Sequence, residues 1–222
     1  MFGHAPPFPL VRCRVVAPPR PSPVYLLVGL LSWPIVRFLF RLRWRGLEHV
    51  PREGGAVLAA NHNSNFDPWP LGLPLFPRRF LRFMGKSELF WFPLGTFIRA
   101  GGAFKVRRGE ADTEAIATAV SLVQDGHLVV MFPEGTRRVK GLRKKHEARW
   151  HTGAARIALE AGVPLVPAAI AGTDRIGRLA ALRVAYGTPI ALDDLRDRAA
   201  KDAAAEATER LRAEIARLEA TL

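Results

Sequence analysis

The stretch Gly55-Ala56-Val57-Leu58-Ala59-Ala60-Asn61-His62-Asn63-Ser64-Asn65-Phe66-Asp67-Pro68 decides how this chain folds and points to what it does. Residues 55–60 form a short apolar run of strand type, Asn61, Asn63, Ser64 and Asn65 are turn formers, and Pro68 suits the first position of a helix. A strand running through a polar turn into a helix is the basic unit of an open α/β sheet. Within the turn, His62 and Asp67 lie five residues apart, and on a regular helix their side chains would diverge by roughly 140°. Only a loop can bring them together. An imidazole takes up a proton near neutral pH, and a carboxylate on its second nitrogen fixes its tautomer and steadies the imidazolium, so the pair is a candidate general base with its orienting acid.

Outward from this turn, apolar runs alternate with helical stretches. Strands are predicted at 56–60, 80–84, 103–106, 128–132, 164–170 and 182–186, and helices at 68–76, 87–99, 111–124, 151–161 and 195–220. The alternation predicts a single α/β domain with a mostly parallel sheet flanked by helices, over residues 46–222. In the last helix Leu211, Ile215, Leu218 and Leu222 recur at helical spacing, which predicts an amphipathic helix capping the body.

The 222 residues carry a formal charge of +13, unevenly placed: residues 191–222 hold 6 Lys and Arg against 8 Asp and Glu, leaving 27 against 12 for the rest. Such a field suits nucleic acid, anionic lipid or a polyanionic small substrate. What precedes the early arginines selects lipid. Residues 1–23, with seven prolines, predict a disordered leader, and the lone Cys13 lies in it, so neither a disulfide framework nor a core thiolate nucleophile is expected. Residues 24–36 are uncharged but interrupted by Pro34 and stopped by Arg37, too short for the ~20 apolar residues of a bilayer span. Arg37, Arg41 and Arg45 recur at helical spacing, so residues 24–45 are read as an apolar and amphipathic helix, or helix pair, lying in one leaflet with the arginines at the headgroups. A signal peptide and a single span with the basic side cytoplasmic are the other readings. The expected location is the cytoplasmic face of the inner or plasma membrane, with membrane phospholipids as partners and no nucleic acid.

Three further blocks follow the His62–Asp67 turn: Phe104-Lys105-Val106-Arg107, Phe132-Pro133-Glu134-Gly135-Thr136-Arg137 and Val163-Pro164-Leu165-Val166-Pro167. The second ends a predicted strand, where ligands commonly bind in open α/β sheets, and Arg137 offers a planar fork suited to phosphate. In order and spacing the four blocks resemble those of the glycerolipid acyltransferases, the 1-acylglycerol-3-phosphate acyltransferases and their relatives, over about residues 45–190.

The resemblance implies an O-acyltransferase of phospholipid biosynthesis that moves a fatty acyl group from acyl-CoA or acyl carrier protein to the free hydroxyl of lysophosphatidic acid or a related lysophospholipid, with no further cofactor. Another lipid acceptor, such as an amino-lipid or glycolipid hydroxyl, is the alternative; a non-enzymatic basic membrane-binding protein would leave the ordered polar blocks unexplained. His62 and Asp67 would be catalytic, Glu134, Gly135 and Thr136 would orient the acceptor, and Arg137 with Arg107 would hold its phosphate. The fourth block would support the site or line the acyl path, or serve simply as a core strand. Ser64 lacks the Gly-x-Ser-x-Gly setting of an exposed nucleophile and is read as a turn hydrogen-bonder. Many relatives carry a lysine just before the helix that begins near Gly153, whereas this chain has Trp150-His151-Thr152, which leaves the headgroup open. His146 and His151 are five apart, not the four of a helical zinc motif, and no metal site is expected.

Overall fold

A computed structural model describes residues 17, 19–86, 91, 94–106, 112–135 and 150–222. Seven strands form one sheet: β1 (Arg43–Arg45), β2 (Ala56–Ala60), β3 (Leu81–Lys86), β4 (Ala103–Val106), β5 (Leu128–Met131), β6 (Leu165–Ala171) and β7 (Arg183–Tyr186). Their spatial order is β1-β7-β6-β2-β5-β3-β4, and every pair is parallel except β6 with β7. β2 therefore sits mid-sheet between β5 and β6. Its five residues are all buried, as an apolar strand covered on both faces must be.

Helices α1 (Pro23–Pro34), α2 (Pro68–Gly72), α3 (Leu94–Ala100), α4 (Asp112–Gln124), α5 (Gly153–Ala161) and α6 (Ala200–Glu219) complete the element order. Because side chains alternate along a strand, β2 sends Val57 and Ala59 to one face and Ala56, Leu58 and Ala60 to the other. The first pair packs with Ile116 and Val123 of α4, Ile157 of α5 and Leu211 and Ile215 of α6. The second set packs with Val36, Leu42, Leu71 of α2 and Tyr186. The fold is a three-layer sandwich, and α6 caps one face as its periodicity predicts. Val163–Pro167 enters β6, with Leu165 and Val166 fully buried, so the fourth block is a core strand.

Residues 24–45 do not form one helix. α1 ends at Pro34, a π-helical turn covers Ile35–Leu39, and Arg41 takes a left-handed φ of 48°. Leu42 then turns inward and Arg43–Arg45 pairs with β7 as an edge strand. The physical reason lies in Arg41-Leu42-Arg43-Trp44-Arg45, where charged and apolar residues alternate strictly. That is a period-2 pattern, which sends Leu42 and Trp44 to the core and Arg43 and Arg45 to solvent. Among the described residues no helix is long and apolar enough to cross a membrane. The expected leader falls outside the described residues up to residue 16.

At the amino ends of the central strands, buried Arg79 donates to the carbonyls of Pro51, Gly54 and Gly126, at 2.7 to 3.0 Å. It ties together the loops feeding β2, β3 and β5, so the opposite, carboxyl ends are held in register.

Candidate active site

At those carboxyl ends the chain leaves β2 through Asn61, whose amide N–H donates to the Ile170 carbonyl at 2.9 Å while its carbonyl oxygen accepts the Ile170 N–H at 2.8 Å. The Asn63 amide also donates to Ile170, at 2.8 Å. The polar turn formers thus complete β6, and the loop after β2 is stitched to its neighbour.

Asp67 is the centre of this loop. Its carboxylate is fully buried, and Oδ2 accepts the backbone N–H of Asn63 at 2.7 Å, the N–H of Ser64 at 2.8 Å and the Nδ1–H of His62 at 2.8 Å. Backbone amides only donate, so Oδ2 is wholly an acceptor and the bond to His62 requires the proton on Nδ1. In that tautomer the ring's lone pair is on Nε2. The second oxygen, Oδ1, accepts the Thr173 hydroxyl at 2.5 Å. His62 retains 18% side-chain exposure against 0% for Asp67, so the imidazole reaches solvent while its partner does not.

The His62 ring stacks on Phe132, with centroids 4.2 Å apart and planes 19° from parallel. Strand order explains the meeting: β2 and β5 are parallel neighbours with Ala59 opposite Met131, so residues 61–67 and 132–135 leave the sheet side by side. In the second segment the Gly135 N–H closes a turn on the Phe132 carbonyl at 3.0 Å. Glu134 is buried, and Gly135 takes a φ of +66°. A Cβ there would lie 2.5 Å from His151 Nε2. The His151 N–H donates to the Pro133 carbonyl at 2.8 Å, so this turn is flanked by the imidazoles of His62 and His151.

The structure therefore brings His62, Asp67, Glu134 and Gly135 to one end of the sheet, while Arg107, Thr136 and Arg137 lie outside the described residues. The Ser64 hydroxyl accepts the Phe66 N–H at 3.3 Å, the turn-bonding role expected of it. Sequence reasoning missed Thr173 and passed over His151 as a contact of the site. The one available signal for Thr173 was its place just after the predicted strand at 164–170, at the end where open α/β sheets commonly bind ligands. α2, which begins after Asp67, is pinned from two sides: the Trp69 indole N–H donates to the Ser32 hydroxyl at 3.1 Å, and the Tyr186 hydroxyl donates to the Leu71 carbonyl at 2.6 Å. Burial raises the Tyr186 phenol far above its ordinary range, which keeps that donor protonated.

The profile of the family described as Acyltransferase matches residues 41–171, from just before β1 to the end of β6. The chain is 31% identical over 178 residues to the 1-acyl-sn-glycerol-3-phosphate acyltransferase of Bacillus subtilis, covering 78% of this chain and 85% of that one. It is 28% identical to the protein of the same name from Streptococcus pneumoniae, covering 77% of this chain and 62% of that one. Among solved structures, the 1-acyl-sn-glycerophosphate (LPA) acyltransferase PlsC of Thermotoga maritima shares the fold, with a TM-score of 0.60 and 24% identity over 87% of this chain and 78% of that one.

Proposed function

The chain belongs to the acyltransferase family, and on that premise we propose that it moves a fatty acyl group from a thioester, acyl-CoA or acyl carrier protein, to the free hydroxyl of lysophosphatidic acid. The observation that carries the proposal is the 2.8 Å bond from His62 Nδ1 to a buried carboxylate, which leaves Nε2 as the base. Names of relatives agree with the acceptor.

In this reading the acceptor hydroxyl meets His62 Nε2. As its oxygen attacks the thioester carbonyl, the proton passes to Nε2, the new C–O bond forms, the C–S bond breaks, and the imidazolium returns the proton to the departing sulfur. Asp67 stabilises the imidazolium throughout. No acyl-enzyme is needed, so Ser64 has no nucleophilic task. Glu134, Gly135 and Thr136 orient the glycerol and its one free hydroxyl, and Arg107 and Arg137 hold the phosphate, where a guanidinium makes two parallel bonds.

Membrane association at the cytoplasmic face belongs to the same proposal. Leu27, Val28, Leu30, Leu31 and Phe38 of α1 and its π-helical extension are more than half exposed, a large apolar surface to leave in water. Arg37, Arg41, Arg43 and Arg45 follow it, as an anionic leaflet would favour. α1 is 12 residues long, about 18 Å, too short to cross ~30 Å of hydrocarbon but suited to one leaflet.

Incubating purified protein with mixed lysolipids and acyl thioesters, followed by mass spectrometry of the products, tests the reaction and identifies the acceptor. His62→Ala is expected to abolish transfer with the fold intact. Wild-type turnover in that variant would remove His62 as the base.

A further inference from the structure

Phe66 stands between the base and its orienting acid, and the proposed reaction gives it no task. It leaves 48% of its surface in solvent while Asp67, next in the chain, has none. The backbone from which the ring projects is fixed: Asp67 holds the amides of Asn63 and Ser64, and the Ser64 hydroxyl holds the Phe66 N–H. A large aromatic side chain is thus left in water on the loop that carries His62 and Asp67.

Its neighbours are apolar and lead toward α1. The Phe66 ring lies 6.4 Å from the Trp69 ring, tilted by 40°. Trp69 in turn bonds through its indole N–H to Ser32, on the buried side of α1. The other side of α1 is the exposed leucine and valine surface, and Arg37 lies 5.9 Å from the rings of both Phe38 and Trp44 at its far end. One path of contacts therefore joins the lipid-facing helix to the loop that carries His62.

We propose that Phe66 is the contact for the hydrocarbon chain of the acceptor lipid, a specificity-determining residue that, with Trp69, leads that chain from the bilayer to His62; this rests on the acylation of a lysophospholipid proposed above. In such an acceptor the existing acyl chain leaves the glycerol one carbon from the hydroxyl that reacts. When that hydroxyl is at Nε2, the first methylenes of the chain must exit beside the loop, and an exposed phenyl there removes them from water. A short-chain acceptor, already at home in water, gains little from the same contact.

The test uses the full chain with two acceptors of one headgroup: oleoyl lysophosphatidate in anionic vesicles, and a hexanoyl analogue free in solution. Phe66→Ser is expected to raise KM for the oleoyl acceptor by roughly tenfold or more, to leave the hexanoyl kinetics within about twofold, and to leave co-sedimentation with vesicles unchanged. Phe66→Leu, which keeps an apolar group, should stay near wild type. Should Phe66→Ser fold poorly, Phe66→Asn, whose side chain suits a turn, is expected to give the same selective loss. Equal loss on both acceptors, no loss on either, or a loss accounted for by weaker vesicle binding would overturn the inference while leaving the reaction in place. Transfer to neither acceptor by the wild type would overturn the functional reading itself.

Discussion

Replacing Asp67 with asparagine isolates the charge of the site from its geometry. The amides of Asn63 and Ser64 and the Nδ1–H of His62 all converge on Oδ2, so an asparagine must place its carbonyl oxygen there. Its NH2 then faces Thr173, whose hydroxyl can turn to accept. Every hydrogen bond survives, and so does the His62 tautomer. What disappears is the attraction between carboxylate and imidazolium. With charge centres ~4 Å apart and an effective dielectric constant of ~20, that attraction is about 4 kcal/mol. It acts only once the imidazole has taken the proton, so it lowers the barrier rather than strengthening acceptor binding, and its loss slows turnover by about 10³-fold. The assay is transfer of a labelled acyl chain at saturating donor and acceptor, with a thermal melt beside it. The expected result is a kcat reduced by about three orders of magnitude, KM little changed, and Tm within a few degrees of wild type. Asp67→Ala, by contrast, takes the acceptor from the half-buried amides of Asn63 and Ser64, at up to about 1–3 kcal/mol each, and should lower Tm clearly. An Asp67→Asn variant that turns over within about tenfold of wild type would refute the reasoning.

Two other perturbations probe the surroundings. Gly135→Ala meets both a left-handed backbone, at about 1–2 kcal/mol, and a contact 2.5 Å from His151 Nε2. It should therefore lower Tm, and adding His151→Ala should recover the part due to the clash; strictly additive melts would show that the two residues do not touch. Among the described residues nothing bonds to the buried Nδ1 of His127, and burial first, then the charges of Arg82 and Arg79, lower its pKa against an opposing pull from Asp125. The unfolded chain then binds a proton there that the folded chain refuses, so stability should hold above about pH 6.5 and fall as the pH drops below it. Melts between pH 7.5 and 5 should be less steep in His127→Gln than in wild type, and coincident slopes would contradict the assignment.

Residues 55–68 already held the strand, the turn and the helix start, because local spacing and turn chemistry are written in neighbouring residues. The same is true of α6, whose Leu211, Ile215 and Leu218 mark a buried stripe. β1 was legible too, in the strict alternation of residues 41–45, but the four-residue spacing of Arg37, Arg41 and Arg45 supported a competing helical period. Backbone pairing with β7 decided between them by satisfying the strand's hydrogen bonds.

By itself the sequence determined that His62 and Asp67 sit on a loop between a buried strand and a helix, and that a glycine-containing polar block ends another strand. Only the tertiary structure decided which strands are neighbours. Placing β5 on one side of β2 stacked Phe132 on the base, and placing β6 on the other brought the Thr173 hydroxyl to Asp67 across 106 positions of sequence. Such contacts follow from strand order, a property of how the whole sheet closes its hydrogen bonds and covers its two faces, and no local spacing encodes it.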